Sequence, residues 1–151
     1  MNPEIAFELR TLAANYADAV DQRDRELLLS AFHPDATLEI IRPAGDDAGP
    51  NTVMRGHDQI GRIVTAITKY RQTFHMLGQS TYLRTADGAS GLVACIAHHR
   101  WTDTEELDHI MYIRYADQYR LGADDHWRIS ARQLHIQWTE TRPIDTPGKK
   151  P

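Results

Sequence analysis

Four long strand-like runs fill the second half of the chain, and they limit its fold more than any other feature: Phe74 to Thr85, Gly91 to Trp101, His109 to Leu121 and Trp127 to Trp138. Each is rich in β-branched or aromatic residues and is bounded by turn-forming residues. Ala86-Asp87-Gly88 and Gly122-Ala123-Asp124-Asp125 carry hairpin chemistry, and Thr102 to Asp108 is a longer polar connection. Strands joined this way pair antiparallel, so the second half predicts one sheet with a face in need of cover.

The first half supplies the cover. In Pro3 to Gln22, Ile5, Leu9, Leu12, Tyr16 and Val20 recur at helical spacing, with Asn2 as a cap and Pro3 at the first helical position. A second short helix follows Asp24, carrying Leu27, Leu28, Ala31 and Phe32, and His33-Pro34-Asp35 breaks it. Thr37 to Arg42 reads as a strand and Pro43 to Asn51, with Asp46 and Asp47, as a loop. Gly56-His57-Asp58 opens a third helix with Ile60, Ile63, Val64 and Ile67 on its inner side. Helices followed by strands predict an α+β domain over residues 1–140 with a loose tail over 141–151. The expected architecture is a cone-shaped barrel: a strongly curved mixed or antiparallel sheet, closed by three N-terminal helices, enclosing one pocket.

With 151 residues the chain is long enough for one domain with a real core. Its net charge of −4 argues against nucleic acid or an anionic membrane as a partner. The single cysteine, Cys95, fits a reducing compartment, and no signal-like or membrane-spanning run is present, so a soluble cytoplasmic protein is expected.

Polar residues in apolar runs are the candidates for chemistry. Asp21 ends the first helix, where the helix dipole disfavours a carboxylate. On an ideal helix it lies roughly 140° from Tyr16, beside Ala14 and Ala17. His75 is in phase with Leu77 and Leu83, and His98 with Leu92 and Ile96, so both rings share faces with aliphatic side chains. Such a histidine either is satisfied by backbone in the core or exchanges protons under the control of a carboxylate. Asp21 likewise is either a solvated acid before a turn or that carboxylate. His98 and His99 are adjacent on a strand and point oppositely, which disfavours a metal pair. Cys95 reads as core, and neither a nucleophile elbow nor a phosphate loop is present.

Tyr16-Ala-Asp-Ala-Val-Asp21-Gln-Arg-Asp24, Phe32-His-Pro-Asp35-Ala, Thr73-Phe-His75-Met, Arg114-Tyr115-Ala-Asp-Gln-Tyr119 and His126-Trp127-Arg-Ile occur in that order. Together, over about Ala6 to Trp138, they resemble the SnoaL-like domains of the nuclear transport factor 2-like superfamily, and within it the scytalone dehydratase, bile-acid 7α-dehydratase and hexachlorocyclohexane dehydrochlorinase enzymes. The resemblance implies an Asp–His pair at Asp21 and His75. It makes Tyr16 similar to a catalytic tyrosine of the bile-acid enzyme and His98 similar to the second pocket histidine of scytalone dehydratase. It also implies that Met111, Ile113 and Tyr115 on one strand, and Arg132, Leu134, Ile136 and Trp138 on the next, face inward to bind substrate. Val20, Ile41 and Tyr115 depart from the scytalone dehydratase pattern, so scytalone itself is not the expected substrate. The implied activity is a cofactor-free lyase, with no metal, on a small apolar, aromatic or cyclic hydroxy-carbonyl compound. An isomerase or polyketide cyclase, or a non-catalytic ligand-binding or assembly domain, are the alternatives. A homo-oligomer, dimer or trimer, is implied as well.

Overall fold

The computed structural model describes residues 1–45, 49–102 and 106–145. The loop residues Asp46 and Asp47, part of the connection after Thr102, and residues 146–151 of the expected tail lie outside the described residues. The chain forms α1 (Pro3–Gln22), α2 (Arg25–Ser30), β1 (Phe32–Ile41), β2 (Thr52–Arg55), α3 (Gly56–Ile60), α4 (Ile63–Ala66), a 3₁₀ turn (Ile67–Lys69), β3 (Gln72–Thr85), β4 (Gly88–Thr102), β5 (Glu106–Leu121) and β6 (Trp127–Pro143).

The start of α1 is fixed locally. Asn2 accepts a hydrogen bond from the Glu4 N–H at 2.8 Å, and Pro3 costs nothing at a position with no intrahelical donor duty. Its end is set by Arg23, which takes a left-handed conformation at φ 57° and donates its N–H back to Ala19 and Val20 carbonyls. Asp24 then caps α2 by accepting from the Leu27 N–H at 3.0 Å. The two helices are therefore joined by a corner only two residues long, and that corner aims the last turn of α1 at β3.

The sheet is six-stranded in the order β2-β1-β6-β5-β4-β3. β3 to β6 pair antiparallel in sequence, whereas β1 lies parallel to β6. The outer strands are β2 and β3, so the sheet is curved but open, not the closed barrel expected from the sequence. The expected third helix is broken into α3, α4 and the 3₁₀ turn. β1 begins at Phe32 and runs through Pro34, where an irregularity between Phe32 and Thr37 accommodates a residue that cannot donate to the ladder. β2 was not anticipated, and β6 continues to Pro143, three residues into the expected tail.

One face of this sheet carries the core. Leu9, Ala13, Tyr16 and Val20 of α1 pack with Phe32, Leu38, Val93, Cys95, Ile113, Tyr115, Tyr119 and Ile129, all buried. Alternation along β4 places Gly91, Val93, Cys95, Ala97 and His99 on this inner face. Among the described residues no helix is long and apolar enough to cross a membrane.

Candidate active site

Asp21 leaves the last turn of α1 and meets the start of β3. Its Oδ1 accepts from His75 Nδ1 at 2.6 Å and from the Thr73 hydroxyl at 2.9 Å, while Oδ2 accepts the His75 backbone N–H at 2.8 Å. Three donors on one carboxylate fix its position and that of the imidazole. Because the carboxylate takes Nδ1–H, the ring presents Nε2 as its free atom. The His75 side chain is 6% exposed and Asp21 20%, so the pair sits at the rim of the concave face and not in bulk solvent. Burial pushes the Asp21 carboxyl up. The His75 ring hydrogen bond, the His75 N–H, the imidazole charge and the Thr73 hydroxyl together outweigh it and hold the group below its ordinary value.

His99 is the second imidazole on this face. It is buried, its ring centre lies 6.0 Å from that of His75, and its Nδ1 contacts the His109 carbonyl at 3.2 Å. Burial, then the neighbouring His75, lower its pKa to about 4, so it is neutral at pH 7. Tyr70 and Trp101 stack beside it, with ring centres 5.6 Å apart. Sequence reasoning missed both His99 and Thr73. It chose the wrong phase for β4 because Leu92 and Ile96 make the outer face as apolar as the inner one. The small residues Gly91 and Ala97 were the available signal, since a side chain at Gly91 would strike the Tyr82 ring.

His98 accordingly stands apart from His75. It lies on the outer face, 37% exposed, with its Nδ1 2.7 Å from Asp108 Oδ2. Trp138 is the second displaced candidate. A bulge shifts the β5–β6 register between Tyr112 and Ile113, so Trp138 pairs with Tyr112 and stacks on it at 4.4 Å on the outer face. Leu83 is exposed for the same kind of reason, a register shift in β3 between Leu77 and Ser80.

The remaining candidates form a descending series. Met111 pairs with Ala97, one step from His75; Ile113 and Ile136 form the next row, and Tyr115 and Leu134 the row below. Tyr16 is buried against Tyr115 and Phe32, and burial raises its hydroxyl to about 12. Arg132 closes the bottom. Its guanidinium makes two 2.7 Å bonds to Asp117, and its centre lies 4.2 Å from the Tyr115 ring and 4.4 Å from that of Tyr16. Burial disfavours its charge, but the carboxylate of Asp117 more than compensates and keeps it protonated. Arg132 Nη1 and the Tyr115 hydroxyl are buried without a hydrogen-bond partner among the described residues.

Two cavities, of about 640 Å³ and about 250 Å³, open elsewhere. The first lies between α2, the start of β1 and the β5–β6 turn; the second is on the outer face of the sheet. Neither of these two is lined by Asp21 or His75. Among the described residues no three His, Cys, Asp or Glu side chains are placed to hold a metal ion.

Comparison with known proteins places the chain in a family. A protein from Novosphingobium aromaticivorans provisionally assigned as a scytalone dehydratase superposes with a TM-score of 0.76 at 22% identity, over 99% of this chain and 97% of its own. A provisionally assigned aromatic ring hydroxylase from the same organism gives 0.75 at 20%, over 95% and 96%. A hexachlorocyclohexane dehydrochlorinase from Novosphingobium barchaimii gives 0.75 at 14%, over 98% and 95%. No curated protein matches the chain. At these identities the structural likeness establishes the fold alone, but a sequence model of the SnoaL-like domain matches residues 6–133. The chain therefore belongs to the SnoaL-like family, on the nuclear transport factor 2-like fold.

Proposed function

We propose that the protein is a cofactor-independent lyase, a dehydratase acting on a small cyclic hydroxy-carbonyl compound of polyketide or steroid type. The observation that carries this reading is the 2.6 Å contact between His75 Nδ1 and Asp21. A neutral imidazole held in one tautomer by a carboxylate is a general base at its other nitrogen. Nε2 of His75 takes the proton from the carbon beside the carbonyl, and the electron pair moves onto the carbonyl oxygen. The enolate then expels the β-hydroxyl, which leaves as water with the proton returned by the imidazolium. Asp21 stabilises the charged ring between the two steps. Tyr16, or the unpartnered Tyr115 hydroxyl and Arg132 Nη1 below it, supply donors for the enolate oxygen. The names of similar structures, a dehydratase and a dehydrochlorinase, favour elimination over other uses of the same proton transfer.

A second reading, a non-catalytic ligand-binding or assembly domain, is favoured by one observation: the interior beneath the pair is filled by Tyr16, Tyr115 and Arg132, and the two cavities lie elsewhere. Turnover separates the two. A panel of cyclic β-hydroxy ketones and their thioesters, followed by mass spectrometry for loss of water, tests for conversion. His75→Ala is expected to abolish it, and Asp21→Asn to lower kcat by about 10²–10⁴-fold with the fold intact. Activity that survives His75→Ala refutes the mechanism, and ligand binding without conversion in any form supports the second reading.

A further inference from the structure

The Asp21–His75 pair is assembled from two elements far apart in sequence. Asp21 comes from the last turn of α1, and Thr73 and His75 come from the start of β3, 52 and 54 positions on. A 2.6 Å bond between side chains on separate elements requires those elements to be held fast relative to each other. A displacement of about 1 Å at a reacting group costs as much as ~10²-fold in rate. Asp21 does not supply that hold by itself, because the three bonds it accepts are the geometry to be kept. A second link between the same two elements lies two residues further along the chain, at Arg23.

Arg23 stands where the backbone favours glycine. It is the left-handed residue after α1, at φ 57°, and among the described residues it shares a positive φ with Asp125 alone of the non-glycine positions. A side chain is disfavoured in that conformation, and glycine or asparagine is the usual choice. What the arginine adds is its guanidinium. From a half-buried position, Nη2 donates to the Tyr70 carbonyl at 2.8 Å and to the Arg71 carbonyl at 3.3 Å. The Tyr70 carbonyl precedes β3 and receives no backbone donor among the described residues, so Arg23 satisfies a group that the sheet leaves open.

Tyr70 and Arg71 carry the link onward. The Arg71 N–H donates to the Arg100 carbonyl at 2.9 Å, so the lead-in to β3 is held by β4 on one side and by the α1–α2 corner on the other. Tyr70, 6% exposed, lays its ring 4.7 Å from that of His99, which adjoins His75. Removing the guanidinium frees the corner after Asp21 at one end and the lead-in to His75 at the other. Among the described residues, the hydrogen bonds left between α1 and the start of β3 are then the three on Asp21.

We infer that Arg23 is a positioning residue of the site: its guanidinium locks the α1–α2 corner to the lead-in of β3 and so keeps Asp21 at bonding distance from His75. This rests on the reading of that pair as the general base. The test is Arg23→Gly in the full chain, since glycine suits the left-handed backbone and removes only the side chain, with circular dichroism as the control for folding. One readout needs no substrate. The short bond to a carboxylate carries the His75 Nδ1–H proton far downfield in proton NMR, and His75→Ala assigns the signal by its loss. Arg23→Gly should move that signal upfield or erase it. It should also lower kcat by about 10–100-fold on whichever hydroxy ketone of the panel the wild type dehydrates fastest, with KM within about twofold. Arg23→Lys, which offers a point charge in place of a fork, should fall between. Arg23→Asn also suits a left-handed backbone but is too short to reach Tyr70, so it should repeat the loss, and it takes the place of Arg23→Gly if that variant does not fold. A signal unmoved in Arg23→Gly and Arg23→Asn overturns the proposal. So does a higher KM at unchanged kcat, which makes Arg23 a substrate contact. A wild type that dehydrates nothing defeats the lyase reading alone, because the resonance still decides whether Arg23 holds the pair.

Discussion

Replacing Asp117 by Ala isolates the contribution of the plug at the bottom of the inner face. Arg132 and Asp117 are both fully buried, held by two 2.7 Å bonds, and Tyr119 donates a third bond to the same carboxylate at 2.8 Å. Removing the carboxylate strands a guanidinium among Tyr16, Tyr115 and Phe32 and leaves the Tyr119 hydroxyl without its acceptor. Breaking one side of a buried pair costs about 3–5 kcal/mol, and an orphaned buried hydroxyl adds ~1 kcal/mol. For a chain of 151 residues the unfolding entropy near the midpoint is about 0.3 kcal/mol/K. The expected fall in Tm is therefore about 13–20 °C, read by scanning calorimetry at neutral pH. The double variant Asp117→Leu with Arg132→Met removes both charges and should recover most of that loss, since a buried pair is worth little against well-packed apolar side chains. A single variant within about 3 °C of wild type, or a double variant no better than the single, would refute the reasoning.

Two further outcomes concern stability. His99 resists protonation down to about pH 4, while the unfolded chain takes the proton near 6.5. Stability should thus fall as pH drops through that window, by up to about 3 kcal/mol, and His99→Phe should flatten the loss in urea titrations. At Gly88 an added methyl would stand 2.2 Å from the Tyr119 carbonyl oxygen, so Gly88→Ala should cost about 1–3 kcal/mol in chemical denaturation although it lies in an exposed hairpin.

The sequence made some of this legible and hid the rest for physical reasons. The boundaries of α1 follow from Asn2, Pro3 and the apolar spacing, all local signals. The approach of Asp21 to His75 followed from resemblance, since nothing local links positions 54 residues apart. Alternation located Ile113 and Tyr115 on one face, but it is a rule of phase, and each bulge resets the phase. That is why Leu83 and Trp138 changed sides. His98 and His99 could not be told apart because both faces of β4 carry aliphatic residues. β2, four residues at the edge of the sheet paired with β1, has too little pattern to be seen.

The place of β6 in the strand order also bears on how the chain reaches this structure. The last strand in sequence lies between β1 and β5, parallel to the first and antiparallel to its predecessor. During synthesis the N-terminal helices and β1 emerge before the strand that joins them to the rest of the sheet, which follows the five other strands of the sheet. The chain must carry an apolar helix face and an unpaired strand edge until then. Such late, long-range closure slows folding and exposes the nascent protein to aggregation. Truncations within β6 should therefore give insoluble product, and not a smaller folded domain, which a solubility assay on stepwise C-terminal deletions would show.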